Sequence, residues 1–150
     1  MKKIVNQNAK ISFVTEPREL VEEIVTFTIN TDDAIKKYYY LNDNTNETFD
    51  LIMADNVNVG FIGYKKETDD FTNFSICIKE EFRNNGIGKK TIESLKTREN
   101  FNTNLFVKVL KSDVKVNNLL NGIKKVNFET DKFNIYVIPS KKKDNKRRLK

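Results

Sequence analysis

The chain has 150 residues, 38% of them hydrophobic with eleven Phe and five Tyr, which favours one domain around one core and argues against disorder throughout. It has no His and a single Cys, Cys77, which excludes an intramolecular disulfide, removes the commonest general base near neutral pH and leaves a transition-metal site without its usual ligands. The formal net charge of +6 equals that of residues 141–150 alone, where seven Lys/Arg and one Asp stand, so residues 1–140 sum to zero and no basic face is inferred for the folded part.

Met1-Lys2-Lys3-Ile4-Val5-Asn6 lacks the apolar run of a signal peptide, and no apolar stretch approaches the length that spans a membrane. A cytoplasmic setting without membrane contact is therefore expected. Residues 1–10 are polar, after which Ile11-Ser12-Phe13-Val14 alternates like a short strand. Pro17 suits a first helical turn, and Leu20, Val21, Ile24, Val25 and Phe27 recur on one face of a helix predicted over about 17–29. Asn30-Thr31-Asp32-Asp33 supplies turn and capping chemistry for a weaker helix from Ala34 to Tyr40, which ends in three tyrosines. Beyond a polar loop at 42–47, residues 49–54 and 57–64 read as a hairpin turning at Asp55-Asn56. Gly60 and Gly63 interrupt its second strand, which fits either a bulge or close backbone approach, or slack packing at a sheet edge.

A strand over 71–79 then delivers the chain to Arg83-Asn84-Asn85-Gly86-Ile87-Gly88-Lys89, a glycine-bearing loop that opens a helix running to about Arg98. Glycine lets backbone approach a ligand without a Cβ in the way, and the first amides of a helix face outward, so the arrangement is a seat for a phosphate. Residues 104–110 form an aliphatic strand, and the intervening helix permits parallel pairing with the strand before it. Val116, Leu119, Leu120 and Ile123 mark a last helix with Asp113 as its cap and Gly122 weakening it, and Phe133 to Ile138 is the closing strand. Cys77 reads as a small buried hydrophobe, since no activating His or cation adjoins it in sequence.

Arg83-x-x-Gly86-x-Gly88, preceded by the strand Phe74 to Ile78 and followed by a helix, resembles the acetyl-CoA-binding motif of the GNAT N-acetyltransferases, and the order of elements is similar over roughly residues 11–138. The resemblance implies a single mixed α/β (α+β) domain over 1–140, with a central, mostly antiparallel sheet flanked by helices. It implies acetyl-CoA as co-substrate, with backbone of Ile76, Cys77 and Ile78 along the pantetheine. Arg83, Asn84, Asn85, Gly86, Ile87, Gly88 and Lys89 would hold the pyrophosphate, Arg83 and Lys89 adding charge. It also implies an asparagine near the cofactor in the last helix, for which Asn117 is taken ahead of Asn118 or Asp113, and an acceptor wall that Tyr38, Tyr39 and Tyr40 would line if they are not simply packed.

Two positions depart from the family pattern. The strand reads Asn73-Phe74-Ser75 where a Glu is common, and counting back from Asn127-Phe128 puts Ile123 where a Tyr is common. No catalytic residue is assigned. Asn73, Ser75 and Tyr136 are conceivable polar helpers, though a satisfied strand residue explains each. The expected function is acetyl transfer from acetyl-CoA to a primary amine on a small molecule or protein. The alternative is a non-catalytic protein of the same fold that attaches to nucleic acid or an acidic partner through the basic tail at 141–150, expected to be disordered because it has almost no apolar residue to bury.

Overall fold

The computed structural model describes residues 8–42, 47–83, 85–96, 103–121 and 127–139, with backbone only for 38–42 and 96. These residues form seven strands in a mostly antiparallel sheet and four α-helices, the mixed α/β class expected. The chain divides into two compact units, residues 1–64 with 75–90 and residues 65–74 with 91–150.

The first unit holds β1 (Ile11–Val14), α1 (Arg18–Thr31), α2 (Asp33–Asn42), β2 (Thr48–Ala54), most of β3 (Val57–Lys66) and the second half of β4 (Phe71–Ile78). β1 pairs antiparallel with β2 and β2 with β3, and β4 follows β3 in the sheet. The hairpin turn forms as read: Asp55 and Asn56 both take left-handed backbone, at φ 48° and 72°, the conformation Asx residues tolerate best after glycine. Lys10 secures it, donating its N–H to Asp55 Oδ1 at 2.9 Å while its carbonyl accepts from Asp55 N at 3.1 Å.

Val21, Val25, Ile35, Leu51, Phe61 and Cys77 make the core of this unit, with Val14, Ile24, Ile29, Phe49 and Met53 packed against them. Phe49 and Phe61 meet edge to face, ring centres 5.6 Å apart. One expectation is corrected: Leu20 and Phe27, placed on the inner face of the first helix, are 49% and 68% exposed. The row that faces inward is Val21, Val25 and Thr28, at i, i+4 and i+7, and the neighbouring row through Leu20 and Phe27 is rotated away from it by about 100°. β3 lies between β2 and β4, so its glycines mark close approach and not a slack edge. A Cβ on Gly60 would overlap the Cys77 carbonyl oxygen, and one on Gly63 would overlap the Glu47 carboxylate.

The second unit holds the first half of β4, β5 (Asn104–Leu110), α4 (Val114–Asn121), β6 (Phe128–Glu129) and β7 (Phe133–Ile138), in sheet order β4-β5-β7-β6. β4 and β5 pair in parallel from Phe71 with Asn104 to Asn73 with Phe106, and β5 pairs antiparallel with β7 from Leu105 with Ile138 to Leu110 with Phe133. Asp113 caps α4, accepting the Val116 N–H at 3.3 Å, and the helix begins at Val114, just ahead of its first expected apolar residue. β6 was not anticipated, since a two-residue edge strand leaves no periodicity to read.

Candidate functional site

β4 ends at Ile78, a short 3-10 turn covers Glu80–Phe82, and α3 (Ile87–Lys96) begins after the loop between them. Phe82 and Ile87 are buried, so the two ends of the loop are anchored by apolar side chains. Gly86 sits at φ +74°, in the left-handed region, and nothing lies within 4 Å of where its Cβ would point. Its carbonyl accepts the Lys90 N–H at 3.1 Å, the bond that opens the helical ladder, so the amides of Gly88 and Lys89 precede that ladder at the positive end of the helix dipole. Lys89 is exposed and Gly88 half-buried. The Asn85 side chain turns back onto the Phe82 carbonyl at 3.1 Å. Asn84 lies outside the described residues.

Arg83, read as a charge for the pyrophosphate, is engaged within the protein. Its Nε donates to the Ile78 carbonyl at 2.9 Å, and one terminal nitrogen lies 3.0 Å from each oxygen of Asp32. Asp32 stands where α1 stops and α2 starts, and it also accepts the N–H of Ile35 at 3.2 Å and of Glu80 at 3.0 Å. One carboxylate therefore ties the helix corner, the end of β4 and the loop together. Burial pushes its pKa up, but the Glu80 and Ile35 amides and the Arg83 guanidinium outweigh this and hold it below the ordinary carboxylate value. The run Asn30 to Asp33 reads in sequence as turn and capping chemistry; the bond of Asp32 to Arg83 spans 51 positions and leaves no local signal. A cavity of about 360 Å³ opens beside it, between the last turn of α1 at Phe27 to Asp32 and the segment Lys79 to Glu81.

Of the strand residues assigned to the pantetheine, Cys77 packs into the core cluster, while Ile76 and Ile78 are half-buried. Ser75 is buried, with its Oγ 3.5 Å from Glu47 Oε2. In the second unit, Asn117 carries four hydrogen bonds: its Nδ2 donates to the carbonyls of Leu110 and Asp113 at 2.9 Å each, and its Oδ1 accepts from Tyr136 at 2.8 Å and from Asn134 at 2.9 Å. That uses the full capacity of the side-chain amide, so a ligand reaching for Asn117 would have to displace a protein partner. Tyr136 is 1% exposed, and burial pushes its phenol pKa up. Asn73 is held in the β4–β5 register opposite Phe106.

The side chains of Tyr38, Tyr39 and Tyr40, the position of Ile123, and the tail at 141–150 lie outside the described residues. Among the described residues there is no group of three or more metal-ligating side chains, and no helix is long and apolar enough to cross a membrane.

The sequence matches the model of the acetyltransferase (GNAT) family over residues 16–119. No curated protein matches it. Among solved structures it is similar to the N-acetyltransferase PseH of Campylobacter jejuni in complex with acetyl coenzyme A, with TM-score 0.60 and 17% identity over 87% of this chain and 98% of that one. It is also similar to RimL, a ribosomal L7/L12 alpha-N-protein acetyltransferase, with TM-score 0.59 and 13% identity over 92% and 99% of the two chains. A third likeness is to yncA, a putative acetyltransferase of Salmonella typhimurium solved with its cofactor acetyl-CoA, with TM-score 0.56 and 11% identity over 87% and 91%. At such identities the structural likeness speaks for the fold alone.

Proposed function

Given that the chain belongs to the acetyltransferase (GNAT) family, we propose that it transfers the acetyl group of acetyl-CoA directly to a primary amine, carried on a small molecule or a protein, in a cytoplasmic setting. The observation that carries the assignment is the loop into α3. Gly86 holds a left-handed conformation over open space, with the amides of Gly88 and Lys89 following at the helix start, and this fits a pyrophosphate. Lys89 adds exposed positive charge, and Ile76 to Ile78 offer strand backbone to the pantetheine arm. Arg83 fixes the loop against Asp32 and brings its positive charge to the same loop as Lys89.

The bound thioester supplies an activated acyl carbon. What the protein contributes is chiefly placement, since holding two reactants in line converts a bimolecular encounter into a local one, a gain of up to about 7–11 kcal/mol in favourable cases. Coenzyme A at a hundred times its dissociation constant should stabilise the native state by about 2.7 kcal/mol. For a chain of this size that is a rise in thermal midpoint of roughly 5–11 °C. Gly86→Glu places a side chain and a negative charge in the open space above the loop. Strain at positive φ should cost it about 1–2 kcal/mol of stability, and the coenzyme A shift should vanish. A parent protein whose midpoint does not move at millimolar acetyl-CoA would overturn the reading.

A further inference from the structure

Primary amines are largely protonated near neutral pH, and only the neutral form has the lone pair that attacks a thioester, so the reaction calls for a proton acceptor. β4 has no carboxylate anywhere along its length, Phe71–Ile78 reading FTNFSICI. The fold brings one in from two strands away. Phe49 on β2 is paired with Gly63 on β3, so both occupy one face of the sheet, the face on which Phe49, Leu51, Phe61 and Cys77 form the core. Strand alternation sets Glu47, immediately before β2, and Ser75, two residues before Cys77, on that same face.

Between Glu47 and Ser75 lies Gly63. A Cβ there would overlap Glu47 Oε2, so the carboxylate crosses β3 through the space the missing side chain leaves. It ends 3.5 Å from the hydroxyl of Ser75, on the strand that runs directly into the cofactor loop. That separation is loose for a hydrogen bond, as catalytic contacts often are before substrates tighten them. Glu47 is partly buried. Asp50, the next carboxylate along β2, is fully buried, points to the opposite face by alternation, and is paired with Arg18 at 2.9 Å.

We propose that Glu47, reaching over Gly63 to Ser75, is the general base of the reaction, an assignment that rests on the acetyltransferase reading. The Glu47 carboxylate takes a proton from the substrate ammonium. The freed lone pair forms the C–N bond at the thioester carbonyl, and the tetrahedral adduct collapses with cleavage of the C–S bond, its electron pair leaving on sulfur. The thiolate accepts the remaining surplus proton from the new amide nitrogen, giving coenzyme A thiol, and Glu47 returns its proton to solvent.

The test is thiol release from acetyl-CoA with spermidine, kanamycin and a lysine-bearing peptide as acceptors, run alongside coenzyme A thermal shifts. Glu47→Gln, close to isosteric, should lower kcat about 100-fold or more and remove the acidic limb of the kcat/KM profile, with the coenzyme A shift unchanged. The double variant Glu47→Gln, Ser75→Glu moves the carboxylate onto β4 itself and should recover at least a tenth of the parent rate. An E47Q protein with parental kcat and pH profile overturns the assignment alone. So does a double variant that keeps a normal thermal midpoint yet is as slow as E47Q. A parent protein that binds coenzyme A but releases thiol with none of the three acceptors overturns the acetyltransferase reading together with its base.

Discussion

Asp32→Ala is expected to lower the stability of the protein by about 3 kcal/mol, because it strips two amides and a guanidinium of one shared acceptor and leaves Arg83 without its counter-charge. The figure stays at the low end of the range for a broken buried pair because the Arg83 side chain is 32% exposed. For a chain of this length it corresponds to a fall in midpoint of roughly 6–12 °C. Asp32→Asn keeps acceptor capacity at the cap and loses the ion pair, so its loss should be about half as large. The pH dependence has a definite sign. A carboxylate whose folded pKa lies below its ordinary 3.8 contributes stability above that value and loses it as pH falls through the folded pKa. The gap between parent and Asp32→Asn should be constant near neutrality and close in acid. Equal midpoints at pH 7 would show that the corner is held by something else.

Gly60→Ala should be comparably damaging, for a steric reason. Glycine to alanine within a strand ordinarily gains about 0.5–1 kcal/mol from chain entropy. Here the added methyl would run into the Cys77 carbonyl, which is backbone and has no rotamer to escape through. Overpacking of that kind costs up to about 3 kcal/mol, so the steric effect wins and the net loss should be about 2 kcal/mol. Gly86→Ala, at positive φ but in open space, is the control for conformational strain alone and should cost about 1 kcal/mol. Urea midpoints of the three proteins measured side by side decide it: a Gly60→Ala no worse than Gly86→Ala would mean that the strands can separate to make room.

Where order in the sequence is short-ranged, the structure was legible in it. The Asp55-Asn56 turn, the cap at Asp113 and the glycine loop before α3 rest on contacts a few residues long, and the parallel β4–β5 pair, though distant in sequence, is legible through the helix expected between the two strands. The errors have a common origin in distance along the chain. Which of two adjacent rows on α1 turns inward depends on a sheet that α1 meets only after folding, so Leu20 and Phe27 were misplaced. Asp32 with Arg83, and Glu47 with Ser75, join residues 51 and 28 positions apart, and nothing local distinguishes those side chains from solvated ones. The glycine at 63 is visible as an anomaly, but its meaning depends on the side chain of Glu47, just ahead of the neighbouring strand.

The four bonds on Asn117 bear on how the second unit opens. Its amide fastens the last carbonyl of β5 and the start of α4, while Asn134 and Tyr136 of β7 converge on its oxygen. No one of these three elements can peel away without orphaning polar groups that burial has already removed from water. They should thus behave as one cooperative block in hydrogen exchange, with the protected amides of β5, the central turns of α4 and β7 opening at a common free energy. In Asn117→Ala that shared value should drop and split, α4 exchanging first. Separate protection levels for the three elements already in the parent protein would show that the amide knots together less than its geometry promises.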